Sequence, residues 1–150
     1  MNILFFLTPK SEIAHIHEED SIRQALEKME YHKFSAVPIL TRDGYYAGTI
    51  TEGDLLWGIK NQFDLNLKEA EDIPVTRIRR RMDYLPVFAK SNMEDLIDRA
   101  LNQNFVPVVD DRGLFIGIIT RKDIIRYYAE RGNGGGKTGA AKDAVKDMAE

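Results

Sequence analysis

The chain has no cysteine, so neither disulfides nor thiolate chemistry can serve its fold or its function. It also lacks any stretch near the roughly 18 apolar residues that a membrane-spanning helix needs. The opening Asn2-Ile3-Leu4-Phe5-Phe6-Leu7 is apolar, but no cationic region precedes it, and Pro9-Lys10 follow at once. It is therefore not expected to act as an export signal. An excess of basic residues is missing too: the formal net charge is −3, which argues against a general nucleic-acid binder. What remains is an ordinary globular balance, 43% hydrophobic and 30% charged over 150 residues. That length suits one compact domain or two small motifs sharing a core. The expectation is a soluble, cytoplasmic protein without membrane or nucleic-acid partners.

The strongest signal is an internal repeat. Val37-Pro38-Ile39-Leu40, Gly44 and Gly48-Thr49-Ile50-Thr51-Glu52-Gly53-Asp54-Leu55 align with Val106-Pro107-Val108-Val109, Gly113 and Gly117-Ile118-Ile119-Thr120-Arg121-Lys122-Asp123-Ile124. Pro38, Gly44, Gly48, Thr51 and Asp54 each recur 69 residues later without a gap. Both copies share one local grammar. Ser21 caps a helical pattern with Ile22, Ala25, Leu26 and Met29 on one face; Ser91 or Asn92 opens the second, with Met93, Leu96, Ile97, Ala100 and Leu101. A proline-containing apolar strand follows, then a turn at Arg42-Asp43-Gly44 or Asp111-Arg112-Gly113. A second strand (45–50 or 114–119) leads into a helix near Glu52 or Arg121, and short apolar strands near 13–16 and 85–88 precede the first helices.

The fold class expected is therefore α+β, with two β-α-β-β-α motifs packed pseudo-symmetrically through their sheets. One motif of about 60 residues would be marginal alone. Motif one is placed at about 9–66, motif two at about 67–131, and a Gly-rich linker with a flexible tail at 132–150. Met29 to Pro38 spans nine residues and Ala100 to Pro107 seven, which predicts a tighter helix-to-strand connection in the second copy.

With Pro38, Pro107 and the doubled Gly-h-h-Thr-x-x-Asp motif at 48–54 and 117–123, the sequence resembles a tandem CBS-domain protein, a Bateman module, over roughly residues 9–130. It departs from the family pattern at Phe34 and Gln103, where glycine is common, and at Gly53 and Lys122, where Ser or Thr often precedes the aspartate. The resemblance implies clefts for adenosine-containing ligands, assembly of modules into a disc, and regulation of a partner protein by ligand occupancy. What the resemblance implies is an adenine nucleotide as regulatory ligand, with no cofactor expected.

The residues admit that chemistry. A carboxylate at Asp54 or Asp123 can accept hydrogen bonds from both hydroxyls of a ribose diol. Thr51 and Thr120, where strand meets helix, can present a hydroxyl to ribose or phosphate, beside first-turn N–H groups that favour anions. Thr-x-x-Asp is equally a capping box with Asp in place of Glu. Pro38 and Pro107 cannot donate to a ladder, so backbone groups at Ala36-Val37 and Phe105-Val106 could read the adenine edge; the plainer reading is an edge strand. Arg121 and Lys122 lie inside the second motif as phosphate candidates, opposite Glu52 and Gly53 in the first. Arg77, Arg79, Arg80 and Arg81 could hold a phosphate tail or line a solvated helix face, with Ile78 and Met82 packing on its other side.

His15 and His17 alternate on a strand, short of the three or four convergent ligands a metal needs. Gly132–Thr138 imitates a phosphate loop, but Arg131 stands where glycine belongs and a helix precedes it. No Ser-His-Asp order or metal motif stands out, so no enzyme is expected. The expectation is a regulatory module sensing AMP, ADP or ATP. The alternatives are a cyclic di-AMP-binding protein, or a ligand-free interaction module dimerising through Leu55, Leu56, Trp57 and Ile59. A homodimer is expected because the second helices, the other carrying Ile124, Ile125, Tyr127 and Tyr128, have more apolar positions than one buried stripe uses.

Overall fold

The fold is a computed structural model that describes residues 2–134. It opens with a 3-10 helix, Ile3–Phe6, and a two-residue strand β1 (Thr8–Pro9). The first repeat follows as β2 (Ile16–His17), α1 (Ile22–His32), β3 (Ala36–Leu40), β4 (Tyr46–Thr51) and α2 (Glu52–Phe63). A short helix α3 (Leu67–Ala70) and a 3-10 turn, Val75–Arg77, lead to the second repeat. That repeat is β5 (Val87–Phe88), α4 (Met93–Ala100), β6 (Phe105–Val109), β7 (Phe115–Thr120) and α5 (Arg121–Gly134). The expected β-α-β-β-α order appears twice, in a mixed α+β fold with two sheets.

Local chemistry sets the boundaries. Ser21 forms a reciprocal capping box with Gln24 at the start of α1. Asn92, rather than Ser91, caps α4 by accepting from the Asp95 N–H at 2.9 Å; the Ser91 hydroxyl accepts from Phe88 instead. Gly44 (φ +93°) and Gly113 (φ +89°) take the left-handed conformation in their hairpin turns. The connection from α1 to β3 is residues 33–35 and that from α4 to β6 is 101–104, so the second copy is not the tighter one. The difference lies in the helices: α1 has 11 residues, α4 only 8.

The sheets have the orders β2-β3-β4 and β1-β7-β6-β5. The proline strands β3 and β6 are thus interior, not edge, strands. Proline fits there because β2 and β5 are only two residues long. Their registers cover Ile39–Leu40 and Val108–Val109, so the preceding three residues of each proline strand pair with β4 or β7 alone.

The chain divides into two compact units, Ile13–Asp83 and a second comprising the N-terminal residues through Glu12 with the chain from Tyr84 onward. This differs from the motif boundaries expected from sequence at both ends. β1 pairs antiparallel with β7, Thr8 opposite Ile118, which places residues 9–12 with the second repeat. Ala70, Val75 and Ile78 join the core of the first repeat with Ile16, Val37, Ile50 and Leu55, which holds 67–83 there. The second core gathers Ile3, Phe6, Leu96, Val106, Ile119 and Ile124. α5 continues through Gly134, past the start of the expected linker; the remaining tail, 135–150, lies outside the described residues.

Candidate functional site

The two Thr-x-x-Asp motifs share their geometry at the threonine and part company at the aspartate. Thr51 Oγ accepts from the Asp54 N–H at 3.0 Å, and Thr120 Oγ accepts from the Asp123 N–H at 3.1 Å. Each following helix starts alike, with the Glu52 N–H donating to the Ser35 carbonyl and the Arg121 N–H to the Asn104 carbonyl, both at 2.9 Å. Asp54 completes a capping box: its Oδ2 accepts from the Thr51 N–H at 3.0 Å. Its Oδ1 accepts from the Arg81 N–H at 2.8 Å, and the residue is 1% exposed. Both carboxylate oxygens are therefore engaged with this chain's own backbone. Asp123 has a side chain 35% exposed, and its carboxylate faces Arg126 at 3.9 Å.

Asp123 also lines a cavity of about 580 Å³, formed wholly by the second unit. One wall is α5, where Asp123, Arg126, Tyr127, Glu130 and Arg131 fall on one face at helical spacing. The other is the N-terminal segment Phe5–Thr8. Phe5, Phe6 and Tyr127 meet edge to face, with the Phe6 and Tyr127 centroids 5.0 Å apart. Arg131 lies over the Tyr127 ring at 5.2 Å and donates to its hydroxyl at 2.6 Å. An open carboxylate, cations and an aromatic wall with an exposed Phe5 thus converge on one concavity.

The other expected residues are placed as follows. Ala36 is half-buried and Val37, Pro38, Phe105, Val106 and Pro107 are buried in the interior strands. The Phe105 carbonyl is already taken: it accepts from the Gln103 carboxamide at 3.2 Å. That buried carboxamide also pairs with both backbone groups of Leu85, extending the ladder by a side chain where β5 has not yet begun. Phe34, the equivalent position, stacks on His32 and is exposed. Arg121 does not join Asp123; its Nε donates to the Ala100 carbonyl at 2.8 Å and closes the end of α4. Lys122 points outward and does not line the cavity.

The repeated Gly48 and Gly117 are covered in unlike ways. A Cβ on Gly117 would lie 2.3 Å from the Thr8 carbonyl, so its bare backbone admits β1. At Gly48 the Arg80 guanidinium occupies the equivalent space, 1.6 Å from where a Cβ would stand. Arg80 donates to the Ala47 carbonyl at 3.3 Å and pairs with Asp83 at 3.2 Å.

A family model for the CBS domain matches residues 7–61 and 70–130. The chain belongs to the CBS-domain family. An uncharacterized protein of Methanocaldococcus jannaschii, MJ1426, is 27% identical over 138 residues, spanning 73% of this chain and 82% of its own. Among solved structures, the fold is similar to CbpB of Listeria monocytogenes in complex with c-di-AMP (TM-score 0.78, 20% identity, 87% of this chain and 97% of that one). It is also similar to CBSX2 in complex with AMP (TM-score 0.69, 24% identity, 86% and 96%).

Within this CBS-domain chain, sequence reasoning missed Arg126, Tyr127 and Arg131 as companions of Asp123. The signal was present, since they stand three, four and eight residues beyond it, one face of a helix. The part played by Phe5–Thr8 had no local signal. Among the described residues no three His, Cys, Asp or Glu side chains gather as a metal site, and His15 and His17 stack edge to face at 5.5 Å.

Proposed function

We propose that this CBS-domain chain is a regulatory module that senses an adenine mononucleotide through Asp123 and transmits its occupancy to a partner protein. The observation that carries the reading is the unequal state of the two aspartates. Asp54 has both oxygens engaged and is buried, so it acts as a structural cap. Asp123 keeps its carboxylate open toward a cavity whose volume suits a small molecule. The role assigned to each group follows from its chemistry. Asp123 accepts from a 2′,3′-diol, the exposed Phe5 offers a face to the base, and Arg126 and Arg131 offset phosphate charge. The AMP bound by the similar CBSX2 supports a nucleotide of this class.

A second reading is favoured by the c-di-AMP in the similar Listeria protein. In that ligand each 3′ oxygen is esterified, so neither ribose offers a free diol. Losing one hydrogen bond to a charged acceptor costs about tenfold in affinity. AMP, ADP or ATP should therefore outcompete cyclic di-AMP in calorimetric titration. Tighter binding of the cyclic dinucleotide would reverse that ranking, and wild-type nucleotide affinity in Asp123→Ala would remove the assignment.

A further inference from the structure

Beyond Arg77, which ends the 3-10 turn, the arginine run before the second repeat is not on a helix. Residues 78–86 form neither helix nor strand, and α2 pins that segment in place at two alternate residues. The Gln62 carboxamide accepts from the Arg79 N–H at 3.0 Å and donates to the Arg77 carbonyl at 2.9 Å. Two residues on, the buried Asp54 accepts from the Arg81 N–H at 2.8 Å. Between them Ile78 is buried against Gly58, where a Cβ would stand 2.6 Å from its Cδ1. The backbone of the run is thus held by three side-chain hydrogen bonds from α2, and Arg79 and Arg81 both line one cavity beside that helix.

These guanidinium groups line a cavity of about 490 Å³ with Trp57, Asn61 and Gln62, all within the first unit. Arg81 lies 5.8 Å from the centre of the Trp57 ring, and Lys60 lies 5.1 Å from it. Arg80 has Asp83 as a partner; among the described residues no carboxylate pairs with Arg79, Arg81 or Lys60. Cations gathered without counter-charge around a concave site repel one another, and a multivalent anion relieves that repulsion.

We propose that Arg79 and Arg81, held against α2 beside Trp57, form a binding site for the phosphate chain of a small polyphosphorylated ligand. The fork of a guanidinium matches phosphate oxygens bidentately, and two forks on a fixed backbone match two successive phosphates. The concavity favours a small ligand over a flat macromolecular surface. This site belongs to the first repeat and does not depend on the nucleotide assignment at Asp123.

Trp57 is the only tryptophan, which makes the site its own reporter. Tripolyphosphate, which has neither base nor ribose, is titrated into the full chain at constant ionic strength, with sulfate as the control. Saturable heat and a saturable change in Trp57 fluorescence are expected, sulfate giving neither. Arg79→Gln with Arg81→Gln should weaken tripolyphosphate by about tenfold or more, whereas Arg42→Gln, at an exposed cation outside both cavities, should leave it unchanged. Far-UV circular dichroism establishes that both variants are folded. No saturable heat or fluorescence change with wild type overturns the proposal. So does equal binding of sulfate, or wild-type affinity in the double variant. AMP binding, measured in parallel, fails only if the Asp123 reading is wrong, so the two are separable.

Discussion

Asp54 and Asp123 occupy one position in the repeat yet meet different surroundings, and the difference predicts opposite phenotypes. Asp54→Ala removes the acceptor for two backbone amides, those of Thr51 and Arg81. A lost cap costs about 1 kcal/mol, and an amide left without a partner costs about 1–3 kcal/mol more. Thermal or urea melts of Asp54→Ala should therefore show a loss of about 2–3 kcal/mol. Asp54→Asn keeps one acceptor oxygen and should lose less. Asp123→Ala leaves the Thr120 cap in place and gives up only an exposed contact with Arg126. It should melt within about 0.5 kcal/mol of wild type while nucleotide binding is lost. If Asp123→Ala melts as low as Asp54→Ala, the two aspartates do the same structural work.

At the scale of elements, Gly48 and Gly117 show what the sequence hides. Their shared offset marks a place where backbone must stay bare, but not what approaches it. At Gly117 the neighbour is the backbone of β1, which cannot yield without leaving the sheet. At Gly48 it is the far end of Arg80, a flexible side chain that can swing away. Gly117→Ala should therefore be the more destabilising. Hydrogen exchange should show it as faster exchange in β7 near Ile118, and near Ala47 and Gly48 the effect of Gly48→Ala should be smaller. Equal effects would mean that backbone conformation, and not the neighbour, sets the cost. The same distinction explains how far the fold was legible. Helix starts, hairpin turns and strand order follow from near neighbours such as Ser21 with Gln24 or Gly44 in its turn, and these could be read. The interior position of Pro38, which needs β2, the joining of β1 to β7 and the non-helical course of Arg79–Arg81 depend on partners 17 to 110 residues away. For the site, Asp123 and its helix face were readable. The withdrawal of Arg121 to the Ala100 carbonyl was not, because that partner is on α4.

At the scale of the whole molecule, the fold reduces the apolar surplus that pointed to self-association. Of the residues on the second helices, Leu55, Ile59 and Ile124 enter the cores, and Ile125, Tyr127 and Tyr128 are half-buried. Only Leu56 and Trp57 stay exposed, at 57% and 39%, and both belong to α2. Exposed apolar groups clustered on one helix mark an association surface more than the same groups scattered singly would. Closed homodimers are built on a two-fold axis, across which a patch meets itself. The α2 surface of one copy should then face α2 of a second, with Leu56 near the axis. Leu56→Glu would bring two carboxylates together there and should convert a homodimer to a monomer, without loss of secondary structure, since the side chain is solvent-facing in the isolated chain. Light scattering at micromolar concentration measures both states. A dimeric wild type and a monomeric variant are expected; a variant that stays dimeric would move the interface off α2, and a monomeric wild type would remove it.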